Sequence, residues 1–189
     1  ELIWVIFYSE MLILIEPSSS RTKEVSKLLM QAYQKSYLVD GSKGEIKLTK
    51  SGFKIFLDEK GMKKKNIEES LRIPFEGQYA TSYSIGASIN YAAGVTSSSI
   101  VKTTDMTLSA WFDEKGGSKD YQNVLLNYQR AIKKAGFIEP YMRWSLSYGD
   151  SESWNRWMEE EDNLNAFKQF ANWYKLNPFQ IDETVGFTR

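Results

Sequence analysis

The acidic run at residues 159–162 is the stretch whose side chains are best suited to chemistry. Its four carboxylates lie just after two tryptophans, Trp154 and Trp157. Two carboxylates beside a tryptophan-lined cleft can hydrolyse a glycosidic bond, one as the acid and the other as the nucleophile or base. An acidic run is also typical of the solvated face of a helix. A carboxylate-based glycoside hydrolase acting on polysaccharide is therefore an alternative function, and the sequence singles out no catalytic residue.

Histidine and cysteine are both missing from the 189 residues. Without cysteine the chain has no disulfide, thiolate nucleophile, Cys-ligated zinc or iron–sulfur cluster. Without histidine it lacks the usual general base near neutral pH, the Ser–His triad and His-ligated metals. The glycine spacings of nucleotide-binding loops and the acidic spacing of an EF-hand are also absent from the sequence. We therefore expect no cofactor and no bound metal, and a non-enzymatic role is favoured over catalysis.

The charges of the chain balance, with 24 Lys plus Arg against 24 Asp plus Glu. A neutral chain lacks the long-range field that draws nucleic acid or anionic membrane without sequence preference. The signal for nucleic-acid binding is accordingly weak. The apolar stretch at residues 2–15 is shorter than the ~20 residues of a membrane-spanning helix. It predicts a buried strand or a core helix, with two short strands or one long bent strand as the preferred form, and membrane contact is not favoured.

Alternation of apolar and small polar residues is the clearest pattern in the sequence. Over residues 79–93 every second residue is Tyr, Thr, Ile or Ala, and the others are Ala, Ser, Gly or Asn. After a loop at residues 94–99, the alternation resumes over residues 100–112, with Lys102 as the exception on the apolar face. A period of two residues is that of a β-strand. The sequence therefore predicts a long antiparallel β-hairpin over about residues 79–112.

The two faces of this predicted hairpin differ in chemistry, since one carries Tyr and Ile and the other Ser, Gly and Asn. In this respect the segment resembles the Ser- and Thr-rich hairpins of pore-forming toxins and of tube-forming phage and injection proteins. The resemblance implies membrane insertion or assembly with other chains. A soluble sheet with one face on a core gives the same alternation. The edge of so long a strand also has to be covered, by this chain or by a partner.

Helical periodicity marks the segments on either side of the hairpin. Apolar residues at i, i+3 and i+4 spacing predict a helix over about residues 22–38. The same spacing returns from residue 118, with interruptions that separate three to four helices. Gly136 fits the C′ position at the end of the first of them.

The predicted fold class is α+β, with an antiparallel sheet that includes the long hairpin, followed by a C-terminal helical region. We expect one domain over residues 1–189. An alternative sub-division separates residues 1–115, mainly β with one helix, from the helical residues 116–189.

Residues 44–61 have two interpretations. Alternation on either side of the turn at residues 50–52 predicts a β-hairpin. In the other interpretation Thr49 caps a short helix. The predicted helix followed by the sequence LTKSGFKIFLDEKG resembles the wing end of winged-helix DNA-binding domains. That resemblance implies a DNA-binding module over residues 20–60 as a second alternative function.

The long hairpin and the abundance of aromatic residues favour a non-enzymatic binding or assembly protein. Aromatic residues make up 14% of the chain, and clustered Trp and Tyr anchor protein interfaces. The expected partner is another protein or a second copy of this chain. The candidate binding residues are aromatic and lie on the hairpin or in the helical region: Tyr79, Tyr83, Tyr91, Trp111, Trp144 and Trp173.

Overall fold

The computed structural model describes residues 2–40, 43–48 and 73–181, and most of these residues are helical. The elements in chain order are α1 (Leu2–Ile15), α2 (Ser20–Ser36), β1 (Tyr37–Asp40), β2 (Lys43–Ile46), α3 (Phe75–Asn90), α4 (Ser97–Trp111), a 3-10 turn (Gly117–Lys119), α5 (Val124–Lys134), α6 (Ile138–Ser145), α7 (Ser151–Glu159) and α8 (Glu161–Leu176). The strands form a two-stranded antiparallel ribbon, with Tyr37 opposite Ile46 and Asp40 opposite Lys43. The predicted α+β fold with a larger antiparallel sheet is therefore wrong.

The predicted long β-hairpin over residues 79–112 is also wrong, because this segment forms the helices α3 and α4. The prediction failed because a spacing of four residues fits both the two-residue period of a strand and one turn of a helix. Tyr79, Tyr83 and Tyr91 follow that spacing and are buried. Ile85 and Ile89 share the alternation but lie on another face of the helix, where their exposed fractions are 48% and 63%.

Side-chain hydroxyls explain how so many Ser and Thr residues enter these helices. Several of them donate to the backbone carbonyl one turn earlier, which satisfies the hydroxyl within the helix. The bonds run from Ser84 to the Ala80 oxygen at 2.6 Å and from Thr107 to the Thr103 oxygen at 2.7 Å. The loop before α4 supplies Thr96 as N-cap in a capping box with Ser99.

Helices α3 and α4 approach each other closely at Gly86. A Cβ atom on this glycine would lie 2.8 Å from the backbone oxygen of Thr103 and 3.1 Å from its Cα. Only a residue without a side chain fits such a contact, so Gly86 fixes the spacing of the helix pair.

Residues 2–15 form the helix α1, so the preferred strands are wrong and the alternative core helix is what the structure has. Residues on nearly all its sides are buried, including Ile3, Phe7, Met11 and Leu14. A helix that is apolar all round is a core helix in a protein of this size. Within the described ranges, no helix has both the length and the apolar character needed to cross a membrane.

The helix predicted over about residues 22–38 and the helices predicted after residue 118 are confirmed, whereas the short helix predicted over residues 62–72 lies outside the described residues. Helix α2 begins after Ser19, whose side chain caps it, and ends two residues before the predicted boundary. Gly136 occupies the C′ position as predicted, and α5 ends there in a Schellman motif: Gly136 has φ +81°, and Phe137 N–H donates to the Ile132 oxygen at 3.0 Å. Helices α6, α7 and α8 complete the region. The predicted wing and most of the 44–61 hairpin lie outside the described residues.

A single cluster of buried residues runs through the described helices other than α7. It includes Ile3 of α1, Leu29 of α2, Leu108 of α4, Leu125 of α5 and Phe170 of α8. Residues from both halves of the proposed sub-division therefore share this core, while the domain boundaries themselves stay a prediction.

Candidate functional site

Four of the predicted binding residues, from α3, its C-cap and α4, lie together in the interior. Tyr79, Tyr83, Tyr91 and Trp111 are each at most 5% exposed. Their rings form a chain of contacts. The ring centroid of Tyr79 lies 6.1 Å from that of Tyr83 and 6.2 Å from that of Trp111. Edge and stacked ring contacts of this kind stabilise a core.

The other two predicted residues, Trp144 and Trp173, are half-buried among the C-terminal helices. The ring of Trp144 lies 5.9 Å from those of Phe170 and Tyr174. Trp173 lies 6.0 Å from Tyr128. The ring contacts of these two indoles therefore come from α5, α8 and Phe137 before α6, and not from Tyr79, Tyr83, Tyr91 or Trp111. A binding role for the six aromatic residues stays a prediction.

Glu10 of α1 is a buried carboxyl surrounded by hydrogen-bond donors. Its Oε1 accepts from the Tyr33 hydroxyl at 2.8 Å, and its Oε2 accepts from Gln129 Nε2 and the Tyr141 hydroxyl, both at 2.6 Å. Burial raises the pKa of Glu10 above its usual range, although the three hydrogen bonds act in the opposite direction. The carboxyl joins four helices, and at 1% exposure it does not reach either cavity described below.

A second buried network connects hydroxyl groups of α2 and α3. Ser36 Oγ lies 2.7 Å from the Tyr83 hydroxyl, which lies 3.0 Å from the Tyr91 hydroxyl. Burial raises the pKa of Tyr91 to about 12 and that of Tyr83 well above its usual value of 10. These groups are held as neutral hydroxyls inside the bundle.

The acidic run at residues 159–162 lies at the junction of α7 and α8, and all four side chains are exposed. Trp154 and Trp157 stack on each other at 5.6 Å, and Trp154 packs on Phe167. None of the four carboxylates lines the two cavities described below. Across the part of the chain that the structure describes, no group of three or more Asp or Glu is arranged to hold a metal ion.

A groove beside α4, here called the α4 groove, is the most promising open site. Its cavity volume is about 490 Å³, within the range of small-molecule sites. Its lining comes from the end of α3, one side of α4, the end of α5 and the start of α6: Asn90, Val101, Lys102, Asp105, Met106, Lys133, Gly136, Ile138 and Glu139.

Two local features position the walls of the α4 groove. The left-handed Gly136 ends α5 and directs the chain into α6, which brings Ile138 and Glu139 to the groove. Lys133 then holds the end of α5 against α4. Its Nζ donates to Asp105 Oδ1 at 2.6 Å, to the Asp105 backbone oxygen at 2.7 Å and to Ser109 Oγ at 2.8 Å.

A second cavity of about 460 Å³ lies between α3 and the turn after α4. Gln78 donates to Asp120 at 2.7 Å along its rim, and Ile85 forms part of its wall. Ile73 lies at its edge.

The sequence contained a signal for the α4 groove that the strand interpretation concealed. Lys102 is an exception on the apolar face of a strand, but on a helix it lies one turn before Met106 on an exposed side. Lys102 and Asp105 are spaced i, i+3, which is typical of a polar helix face. The Gly136 turn was already recognisable as the end of α5.

Comparison of the chain with protein-family models, with curated protein sequences and with solved structures yields no match.

Proposed function

We propose that this chain is a non-enzymatic binding protein that takes a small amphipathic molecule into the α4 groove. The observation that supports this most directly is the composition of the groove. Apolar side chains of Val101, Met106 and Ile138 lie beside convergent polar groups in a cavity of about 490 Å³. A concave site with an apolar wall and a few polar groups is the usual form of a small-molecule site.

The arrangement of the carboxyl groups favours binding over hydrolysis. General acid catalysis requires a carboxyl that touches the substrate. Glu10, whose pKa is raised, is enclosed by α1, α2, α5 and α6. The exposed acids of residues 159–162 lie at another junction and line neither cavity.

Titration with the neutral fluorophore phenylnaphthylamine tests the groove. We expect saturable binding of one molecule per chain, with a rise in fluorescence. Met106→Gln keeps the length of the side chain but makes this wall polar, so it should weaken binding about fivefold through loss of about 1 kcal/mol of apolar contact.

The matched control is Met158→Gln, which changes a half-buried methionine on α7 that does not line the groove. This control should bind the fluorophore as the unaltered chain does. Absence of saturable binding, or equal affinities in the two glutamine variants, would rule out the groove as the site.

Self-association through α3 is the second candidate function. Residues 77–101 include no charged residue, and Ile85 and Ile89 are exposed one turn apart on this helix. Two copies could bring these faces together without removing any charge from water, which is the main cost of burying polar surface. The zero net charge of the chain also avoids repulsion between copies.

Light scattering after size exclusion tests this second candidate. A dimer in the unaltered chain should become a monomer in Ile89→Lys. Leu176→Lys is the control, because Leu176 is 84% exposed at the end of another helix, α8. A monomer at high concentration, or a dimer that Ile89→Lys leaves intact, refutes self-association through α3.

A further inference from the structure

The charged groups that line the α4 groove are unequally available to a ligand. Lys133 already uses the three donors of its ammonium group, two on Asp105 and one on Ser109. Asp105 is correspondingly paired at 2.6 Å. This pair therefore contributes little net charge to a molecule in the groove.

The second acid of the lining, Glu139, also faces a cation of the protein. Its Oε1 lies 3.4 Å from Nη2 of Arg143, one turn later on α6. Arg143 is itself only 9% exposed and donates to Ser98 and Ser153 at 2.7 and 3.0 Å. Its charge is thus directed into the protein, where it offsets that of Glu139.

Lys102 is in a different position. It lines the groove, its side chain is exposed, and within the described ranges it makes neither an ion pair nor a side-chain hydrogen bond. The charge that remains available in the groove is therefore positive. It lies on the same helix as Val101 and Met106, which form part of the apolar wall.

Asn90 adds one further polar group. Its Nδ2 donates to the Gly86 oxygen at 2.9 Å and lies 3.4 Å from Met106 Sδ. This orientation leaves the amide oxygen as an acceptor for a ligand N–H or O–H. The groove thus offers the ammonium of Lys102 to an anionic group and the amide oxygen of Asn90 to a hydrogen-bond donor of the ligand.

We infer that the ligand is a small organic anion with an apolar body, and that Lys102 is the residue that selects its negative charge. This inference rests on the proposed function, because it assigns a ligand class to the same groove. The apolar body lies against Met106, Val101 and Ile138, while the carboxylate or sulfonate pairs with the ammonium of Lys102. A free cation beside an apolar wall provides the complementary charge for such a molecule.

A matched pair of fluorophores tests the ligand class. Phenylnaphthylamine is neutral, and anilinonaphthalene sulfonate has the same ring system with one added sulfonate. The ratio of their affinities therefore reports the contribution of the charge. Lys102→Met should weaken the sulfonate about threefold or more while leaving the neutral fluorophore unchanged.

Three further measurements complete the test. Lys102→Arg should retain the preference for the sulfonate, because it keeps the positive charge. Lys168→Met, which removes an exposed lysine of α8 that does not line the groove, should behave as the unaltered chain. Raising the salt to about 0.5 M should weaken only the sulfonate, since salt screens the ion pair.

The outcomes separate the ligand class from the groove itself. If Met106→Gln weakens both fluorophores but Lys102→Met leaves their affinity ratio unchanged, the groove binds ligands and the inferred preference for anions is wrong. If neither fluorophore binds saturably, the proposed function fails and the inference fails with it.

Discussion

The carboxylate of Glu10 on α1 accepts a hydrogen bond of 2.6 Å from the hydroxyl of Tyr141 on α6, 131 residues further along the chain. Tyr33 of α2 and Gln129 of α5 donate to the same carboxyl group. A hydrogen-bonded carboxyl at this depth holds four helices together, and it also makes their association sensitive to its proton.

Glu10→Gln should change how stability depends on pH. Because burial raises the pKa of Glu10 above 4.5, the folded chain holds this proton more tightly than the unfolded chain does. The stabilisation of the folded chain by the Glu10 proton is complete below pH 4.5 and is lost as the pH rises through the folded-state pKa of Glu10. As the pH rises above 4.5, we expect the unfolding free energy of the unaltered chain to fall relative to that of the variant, by at most ~1.4 kcal/mol per pH unit.

Urea unfolding at a series of pH values, followed by tryptophan fluorescence, measures this difference. Glu24→Gln serves as the control, because Glu24 is exposed on α2. Parallel pH profiles for the Glu10→Gln variant and the unaltered chain would show that Glu10 does not titrate differently in the folded state.

The buried tyrosines should resist ionisation while the chain is folded. Burial raises the pKa of Tyr33, Tyr79, Tyr83 and Tyr141 well above 10, and that of Tyr91 to about 12. At about pH 11, phenolate absorbance should report only part of the eleven tyrosines in the folded chain and nearly all of them in denaturant.

Tyr83→Phe tests that assignment at one residue. The absorbance at about pH 11 should be unchanged in the folded variant and reduced by one tyrosine in the denatured variant. A comparable reduction in the folded form would mean that Tyr83 ionises readily within the bundle, contrary to its burial between Ser36 and Tyr91.

Gly86→Ala should destabilise the chain, although the same change usually stabilises a helix. Alanine gains roughly 0.5–1 kcal/mol over glycine in a helix interior. Here its Cβ would meet the backbone oxygen of Thr103 at 2.8 Å, and separating α3 from α4 costs about 1–3 kcal/mol. The cost of separating α3 from α4 should therefore exceed the gain in helix propensity, so the free energy of unfolding should fall.

The free energy of unfolding in urea measures this effect. Ser88→Ala is a suitable control, since Ser88 lies on the exposed side of the same helix. A Gly86→Ala variant as stable as the unaltered chain would mean that α3 and α4 do not pack as closely as described.

The C-terminal helices could be predicted from the sequence because their patterns allow one interpretation. The spacing of Leu125 and Ile132 gives the helical period of α5, and Gly136 marks its end. The residues of α3 could not be assigned in the same way. Tyr79, Tyr83 and Tyr91 repeat at multiples of four, which a strand and a helix accommodate equally well. The unbroken alternation over residues 79–93 then favoured a strand, and hydroxyls that bond back to the helix carbonyls cannot be recognised from spacing alone.

The candidate site was harder to predict than the helices. The α4 groove brings together Asn90, Lys102, Lys133 and Glu139 from four helices, and only their packing makes them neighbours. The buried carboxyl was equally hidden, since Glu10 looks like an interruption of an apolar stretch until Tyr141 and Gln129 lie beside it.

The most direct test of the binding proposal is an NMR titration with methionine methyl groups labelled with carbon-13. Among the methionines in the described residues, Met106 alone lines the α4 groove, whereas Met30 and Met142 are buried elsewhere in the core. Addition of anilinonaphthalene sulfonate should shift the Met106 methyl signal strongly and saturably, with small changes for the other two. A Met106 signal that stays in place while the fluorophore binds would contradict the assignment of the groove as the ligand site.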